Sequence, residues 1–240
     1  FIADSREVSV EPDAIVLALG GASWPKLGSD ARWATILTEQ KVAVTPLKPA
    51  NCGFTTAWSD VLRGFAGQPL KRISLTFAGR TVRGEAMITE QGLEGGAVYA
   101  LSSPLRDAVA KYGETTLTAD LLPDVDVKRL GERLSAPRGK QSLTNFLRKA
   151  THLSAAALSL MREGAMAQGA NLSATSRREI AGLIKAVPVK LTGIQPIATA
   201  ISTAGGIAFD ELDEHFMLKK CPGVFVAGEK RLAVLPKRLV

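Results

Sequence analysis

Three glycine-containing turns, each placed after a run of apolar residues, are the parts of this sequence best suited to ligand chemistry. They lie in ALGGASWPKLGS (residues 18–29), STAGGIAFDEL (202–212) and VFVAGE (224–229). Backbone N–H groups at such turns can bind a phosphate or a ring carbonyl, and glycine lets a ligand approach the backbone closely. A single glycine after a strand usually marks only a turn, but three in one chain predict a ligand site.

The sequence lacks the motifs of several common nucleotide and catalytic sites. It contains no G-x-G-x-x-G, no G-K-[ST] and no G-x-S-x-G, so the usual pyrophosphate fingerprint, the P-loop and the nucleophile elbow are missing. Its two cysteines and two histidines have no partner at metal-ligand spacing, and we predict no metal site. The acidic cluster at residues 210–214 is interpreted as solvated surface, and the catalytic residues stay unknown.

The composition is that of an ordinary globular protein. The chain has 240 residues, of which 46% are hydrophobic and 22% are charged. No apolar run approaches the roughly 20 residues that a membrane helix needs, and the first ten residues do not resemble a signal peptide. Because low cysteine use is typical of reducing compartments, we expect a cytoplasmic protein that does not contact a membrane.

The net charge of +7 raises the question of an acidic partner. Basic residues cluster in the last eleven positions, which hold four of them and no acid, and in a second group from Lys128 to Lys149. Aromatic residues make up only 5% of the chain and are not interleaved with the basic ones. The interpretation favoured by these patterns is a solvated helix face and an unusual tail, with nucleic-acid binding as the less favoured alternative.

The first turn belongs to a predicted strand–turn–helix fragment. Residues 13–21, DAIVLALGG, form a continuous apolar run, which predicts a strand buried on both faces of a parallel sheet. Ser29 or Asp30 is expected to cap a following helix that carries Trp33, Ile36 and Leu37 on one face. This order of elements is typical of an α/β protein.

The middle of the chain predicts antiparallel strands and then helices. From about residue 46 to residue 84 apolar residues alternate with polar ones, and Ala78–Arg80 offers a hairpin turn. Helices are predicted from about residue 102 to residue 186, with Ser142 as a cap and Ser176 in a capping box with Glu179. Short apolar strands are expected to return at residues 197–201 and 224–227.

Four stretches of the sequence resemble one family of flavoproteins. They are AIVLALGGASWPKLGS (14–29), GEAMITEQGLEGGA (84–97), ISTAGGIAFDEL (201–212) and PGVFVAGE (222–229). They resemble the NAD(P)/FAD-dependent oxidoreductases called YhiN-like, BaiN-like or aminoacetone-oxidase-like, over about residues 10–229. The resemblance implies an α/β fold with a discontinuous, partial Rossmann-like FAD-binding domain, residues 1–48 and 187–240, interrupted by an inserted β-plus-helical, substrate-side domain at residues 49–186.

The resemblance also implies which residues lie near FAD. The set comprises backbone and small side chains of the three turns: Gly20, Gly21, Ala22, Ser23, Thr203, Ala204, Gly205, Gly206, Ala227, Gly228 and Glu229. In the family a carboxylate at the position of Glu229 usually binds near the ribityl or diphosphate part, and Thr usually stands where this chain has Leu19. NAD(P)H is a possible electron donor.

The same resemblance makes the chain look like a fragment. The family has a G-x-G-x-x-G segment ahead of the part that matches residue 1, and a flavin loop where Lys230–Val240 matches nothing. FAD binding by this chain is therefore expected to be weak or absent. The expected function is that of an FAD-dependent oxidoreductase acting on an unidentified small molecule. The alternatives are a non-enzymatic basic module that binds nucleic acid or an acidic partner, and a globular fragment without activity.

Overall fold

The chain divides into two compact units in a computed structural model that describes residues 2–3, 6–7 and 9–228. The discontinuous unit contains residues 1–50 and 196–240, and the central unit contains residues 51–195. The boundary predicted at residue 187 differs from this division. Residues 187–195 lie in the central unit, because Val187–Leu191 pairs there with Thr115–Asp120.

The described residues form a mixed α/β structure with thirteen strands and eight α-helices. The strands are β1 (Ile2–Ala3), β2 (Arg6–Glu7), β3 (Ile15–Leu17), β4 (Val44–Pro49), β5 (Phe54–Thr55), β6 (Pro69–Phe77), β7 (Arg80–Ile88), β8 (Gly92–Glu94), β9 (Thr115–Asp120), β10 (Val187–Leu191), β11 (Gly193–Ile194), β12 (Thr203–Ile207) and β13 (Val224–Val226). The helices are α1 (Arg32–Glu39), α2 (Asp60–Arg63), α3 (Gly96–Tyr99), α4 (Ser102–Tyr112), α5 (Val127–Leu134), α6 (Leu143–Thr151), α7 (Ala155–Ala167) and α8 (Arg177–Lys185). None of the helices in this part of the chain is both long and apolar enough to span a membrane.

The central unit is built on a seven-stranded antiparallel sheet. Its strand order is β10-β9-β6-β7-β8-β5-β11. Ile73 and Leu75 of β6 are buried as predicted, but Ser74 between them is buried as well, so burial does not alternate along this part of the strand. Ala78 and Gly79 both have positive φ between paired Phe77 and Arg80, as the two-residue hairpin turn of type I′ requires. The antiparallel structure predicted for this region is therefore confirmed.

Helices α5 to α8 complete the central unit, as the sequence predicts. The hydroxyl of Ser142 accepts the Asn145 N–H at the start of α6. Ser176 and Glu179 form the predicted capping box at the start of α8. Strand β9 lies in the region predicted to be mainly helical, and it joins the sheet through β6 and β10.

The discontinuous unit contains small sheets around one apolar core. Strands β3 and β13 pair in parallel, whereas β12 pairs with β4 and β1 with β2 in antiparallel fashion. The core is formed by apolar side chains from α1, β12, β13 and the segments beside them: Trp33, Leu37, Val42, Ile207, Leu212, Leu218 and Val226.

Three local expectations for the discontinuous unit are wrong. β3 is not buried on both faces, since Ile15 and Val16 are exposed and β13 is its one partner strand among the described residues. In helix α1 the Asp30 carboxylate accepts the Arg32 N–H over 3.2 Å, as the expected cap requires, although Ala31 with its left-handed φ stands between them. Trp33 and Leu37 are buried as predicted, but Ile36 is exposed rather than on the same buried face. Residues 197–199 form a 3₁₀ turn, which ends in extended backbone at Ala200, rather than a strand.

Candidate functional site

The parallel pair β3–β13 brings the first and third glycine turns to the same edge of a sheet. The Ala227 N–H donates to the Leu17 carbonyl over 3.0 Å, so both strands end side by side. Residues 18–21 follow one strand, and Ala227 and Gly228 follow the other. In open α/β sheets, ligands bind at the carboxyl ends of parallel strands. The edge beyond Leu17 and Val226 is therefore the candidate ligand site.

The first turn is held in place by two side chains of its own unit. Gly20 has a φ of +73°, which favours glycine, and its carbonyl accepts the indole N–H of the buried Trp33 at 3.0 Å. A Cβ at Gly20 would lie 3.0 Å from Ser29 Oγ. Trp33 and Ser29 therefore fix the path of the backbone where it leaves β3.

The second turn reaches the first through Thr203. The Ala22 N–H donates to Thr203 Oγ1 over 2.9 Å, and the same hydroxyl donates to Ser23 Oγ over 3.4 Å. Thr203 and Ser23 are both buried. These bonds join residues about 180 positions apart, and they place the predicted site residues of the first two motifs together.

Gly205 and Gly206 lie within β12 rather than in an open turn. Gly205 has a φ of +93°, and a Cβ there would lie 2.3 Å from the Pro46 carbonyl oxygen on β4. The β12–β4 register shifts between Ala204 and Gly206. The close packing of two strands therefore accounts for the glycine at position 205 without a ligand.

The third motif is described only as far as Gly228. Gly228 is exposed with a φ of +80°, and no atom lies within 4 Å of a Cβ built there. Glu229 and the basic tail from Lys230 to Val240 lie outside the described residues. The described part of this motif therefore offers open backbone beside the end of β13.

The residues of the candidate site are suited to binding rather than to proton transfer. Residues 18–24, 203–206 and 227–228 include no ionisable side chain. Leu19 and Trp24 are about half exposed, at 53% and 49%. Apolar side chains beside backbone N–H donors can bind a planar ring with polar edges. Because the site has no ionisable side chain of its own, a bound cofactor would have to carry out the redox chemistry.

Other residue types that could do chemistry have structural roles. Burial raises the pKa of the Cys52 thiol, and the Cys52 backbone exchanges hydrogen bonds with the Ser102 hydroxyl, so this cysteine is a neutral core residue. In the acidic cluster, the Lys220 ammonium lies 2.8 Å from Glu211 and lowers the pKa of that carboxyl. Asp213 accepts the backbone N–H groups of His215 and Met217.

The described residues include no group of three or more His, Cys, Asp and Glu side chains that could hold a metal ion. The interpretation of residues 210–214 as simply solvated is incomplete, because Glu211 is largely buried in its ion pair with Lys220. The spacing of nine residues between the two gave no signal for this pair.

Sequence reasoning did not single out one further group of basic side chains, which lies on the central unit. Lys71, Arg72, Arg133 and His152 line a cleft of about 580 Å³. Arg133 belongs to the basic group interpreted from the sequence as a solvated helix face. The adjacent pair Lys71-Arg72, which interrupts the alternating pattern of β6, is the signal in the sequence that could have marked the cleft.

Comparison with known proteins relates the chain to a protein family and to a curated relative. Residues 48–202 match the family model described as HI0933-like protein barrel and H2TH domain, and this range includes the whole central unit. The chain is also 27% identical over 235 residues to the ribosomal RNA dihydrouridine synthase of Escherichia coli (strain K12). That alignment covers 95% of this chain and 57% of the relative, so the chain spans a little over half of the relative's length.

Proposed function

This chain belongs to the HI0933-like family, a family of the FAD-dependent oxidoreductase group, and on that premise we propose that it binds FAD at the glycine turns of the discontinuous unit. The observation that carries the proposal is the bond from the Ala22 N–H to Thr203, which joins two of the turns beside the end of β3. Backbone N–H groups of Gly20 and Gly21 would face the cofactor, and Gly228 would let it approach β13. FAD, when bound, would supply two-electron redox chemistry.

RNA is the proposed substrate class, in preference to the small molecule expected from the sequence. One support is the relative from Escherichia coli, which is a ribosomal RNA dihydrouridine synthase. A second support is the distribution of charge. Residues 51–195 contain 19 Lys and Arg and 12 Asp and Glu, a net charge of +7, whereas the rest of the chain contains 11 of each. A basic excess of this kind favours a polyanionic partner.

The proposed reaction is the reduction of uridine to dihydrouridine within RNA. The reaction would add one hydride and one proton across the C5–C6 double bond of the base. FAD held beside Gly20, Gly21 and Gly228 would supply the hydride, with NAD(P)H as the stoichiometric reductant and water as the source of the proton. The role of the chain's own residues is to bind and orient, because the described site residues include no ionisable side chain.

Titration of the purified chain with FAD, followed by quenching of flavin fluorescence, tests the proposal. We expect saturable binding that Gly228→Ala weakens about tenfold, which corresponds to about 1.4 kcal/mol. Gly139→Ala is the matched control, because Gly139 is also exposed, has positive φ and has no atom within 4 Å of its Cβ position, but lies in the central unit.

Two results would contradict the proposal: absence of saturable FAD binding, or equal weakening by both glycine variants. RNA binding without any flavin binding would instead favour the non-enzymatic module considered from the sequence. The substrate is tested separately, by incubating the chain with FAD, NADPH and ribosomal RNA. Mass spectrometry should then detect a gain of two hydrogen atoms on uridine.

A further inference from the structure

The basic cleft of the central unit is formed by four parts of the chain. They are the start of β6, the segment that follows β9, the last turn of α5, and the connection between α6 and α7. Its charged lining is Lys71, Arg72 and Arg133, with His152 as a fourth basic side chain and Asp124 as the one acid. Asp124 is 2.9 Å from the Arg83 guanidinium, so its charge is already compensated.

A bulge in β6 presents the two adjacent basic residues to solvent. The register of β6 against β7 shifts between Leu70 and Ile73, and both Lys71 and Arg72 are exposed. In a regular strand they would point to opposite faces. Arg72 has a φ of +53°, a left-handed conformation that costs a non-glycine residue about 1 kcal/mol. Bulges and backbone strain of this kind concentrate beside functional sites.

The bulge also borders a second depression. This depression has a volume of about 500 Å³, shares Lys71, Arg72 and Asp124 with the cleft, and is also lined by Arg83 and by the exposed acid Glu85. Lys71 and Arg72 therefore border two adjoining depressions, of which the cleft carries the basic excess. A chain of regularly spaced anions fits such a surface better than a single small anion does.

The basic side chains of the cleft lack the acidic partners that other cations of the same unit have. Lys185 pairs with Asp120 at 2.7 Å, and Lys190 pairs with Glu114 at 2.8 Å. Within the described part of the chain, Lys71, Arg72 and Arg133 make no ion pair. Their charges are available to an external anion, and the counterions released on binding would provide the driving force.

We propose that this cleft binds the phosphate backbone of the RNA substrate. The inference rests on the proposed function, which gives RNA as the substrate but does not say which surface binds it. Contacts with phosphates would position the RNA without reading its sequence, which leaves recognition of the base to the flavin site.

Fluorescence anisotropy of a fluorescein-labelled oligouridylate, titrated with the 240-residue chain at several salt concentrations, tests the proposal. The test variant is Lys71→Ala combined with Arg72→Gly, because glycine accepts the left-handed φ at position 72 and preserves the bulge. We expect affinity to fall by about tenfold or more at low salt. The slope of log K against log salt should shrink by about 1.4, which is the loss of two phosphate contacts on a single strand.

The matched control is Arg80→Ala combined with Arg178→Ala. These residues are exposed and belong to the same unit, but neither lines the cleft, and the control removes the same charge. We expect this control to change the RNA affinity by less than about twofold, because salt screens the attraction between RNA and charges that do not contact it. Circular dichroism of both variants checks that they are folded, and Arg72→Gly alone should keep or raise the melting temperature.

Three results would overturn the proposal. They are RNA binding that is insensitive to salt or absent, equal losses in the cleft and control variants, and displacement of RNA by polyglutamate at the same charge concentration. FAD titration of the same samples reports on the proposed function independently. If the wild-type chain does not bind FAD but the cleft variant still loses RNA affinity, only the proposed function is contradicted. If the wild-type chain binds FAD but the cleft variant keeps its RNA affinity, only the role of the cleft is contradicted.

Discussion

At the scale of single residues, the Thr203 hydroxyl is the group on which the candidate FAD site depends most directly. It accepts the Ala22 N–H, donates to Ser23 and is 1% exposed. A backbone N–H that loses its acceptor inside a protein costs about 1–3 kcal/mol. Ala22 and Ser23 therefore keep their positions beside β3 because a residue far along the chain supplies a hydroxyl.

Replacement of Thr203 tests this dependence. Thr203→Val keeps the shape of the side chain but removes the hydroxyl, and we expect the free energy of unfolding to fall by about 1–3 kcal/mol. Thr203→Ser keeps the hydroxyl and loses one methyl group, so it should cost only about 1 kcal/mol. Urea denaturation measures both values, and a Ser variant as unstable as the Val variant would show that the hydroxyl is unimportant.

At the scale of elements, the N-terminus of α8 shows how a local sequence pattern defines a helix. Ser176 Oγ accepts the Glu179 N–H, and the Glu179 carboxylate accepts the Ser176 N–H at 2.8 Å. The hydrogen bond from Ser176 lowers the pKa of Glu179. A lowered pKa in the folded state means that the stabilisation is present above the pKa of the unfolded chain. It is then lost as the pH falls through the lower, folded value.

Substitution of the cap tests its contribution. Ser176→Ala should lower the free energy of unfolding by about 1 kcal/mol, whereas Ser176→Gly should cost only a few tenths. The difference between wild type and the Ala variant should shrink when denaturation is repeated in acid, because Glu179 is then protonated. A Gly variant that is as unstable as the Ala variant, or a difference independent of pH, would argue against the capping box.

At the scale of the whole molecule, the two units have separate cores and separate sheets. The central unit is built around β6, in which Leu75 is fully buried. The discontinuous unit has its own apolar cluster, and the contact between β12 and β4 at Gly205 belongs to it. Chains with more than one domain commonly depart from two-state unfolding.

Differential scanning calorimetry should therefore resolve two transitions, each sensitive to a different substitution. Leu75→Ala should lower the stability of the central unit by about 2–5 kcal/mol through the cavity it leaves. Gly205→Ala should destabilise the discontinuous unit, because its Cβ would lie 2.3 Å from the Pro46 carbonyl oxygen. A single transition that both substitutions lower together would show that the units unfold as one.

The sequence by itself determined the features that depend on near neighbours. Turn chemistry predicts the hairpin at Ala78–Gly79, and hydrogen bonds within three residues predict the caps at Ser142 and Ser176. A period of two predicts strand β6 and its buried residues Ile73 and Leu75. The resemblance to flavoproteins also came from local motifs, and the match of residues 48–202 supports it at the level of the family.

Only the tertiary structure decided the features that depend on distant residues. The apolar run at residues 13–21 predicts burial, but burial requires elements on both faces, and Val16 is 63% exposed. The glycine at 205 resembles a ligand contact, but the approach of β4 explains it. Strand β9 exists because β6 and β10 provide its hydrogen bonds. The basic cleft exists because a bulge in β6 meets residues that lie between 50 and 86 positions further along the chain, from Leu121 to Ala157. Periodicity and spacing reflect interactions between residues that are close in sequence. The contacts described here form between distant segments, so no local pattern predicts them.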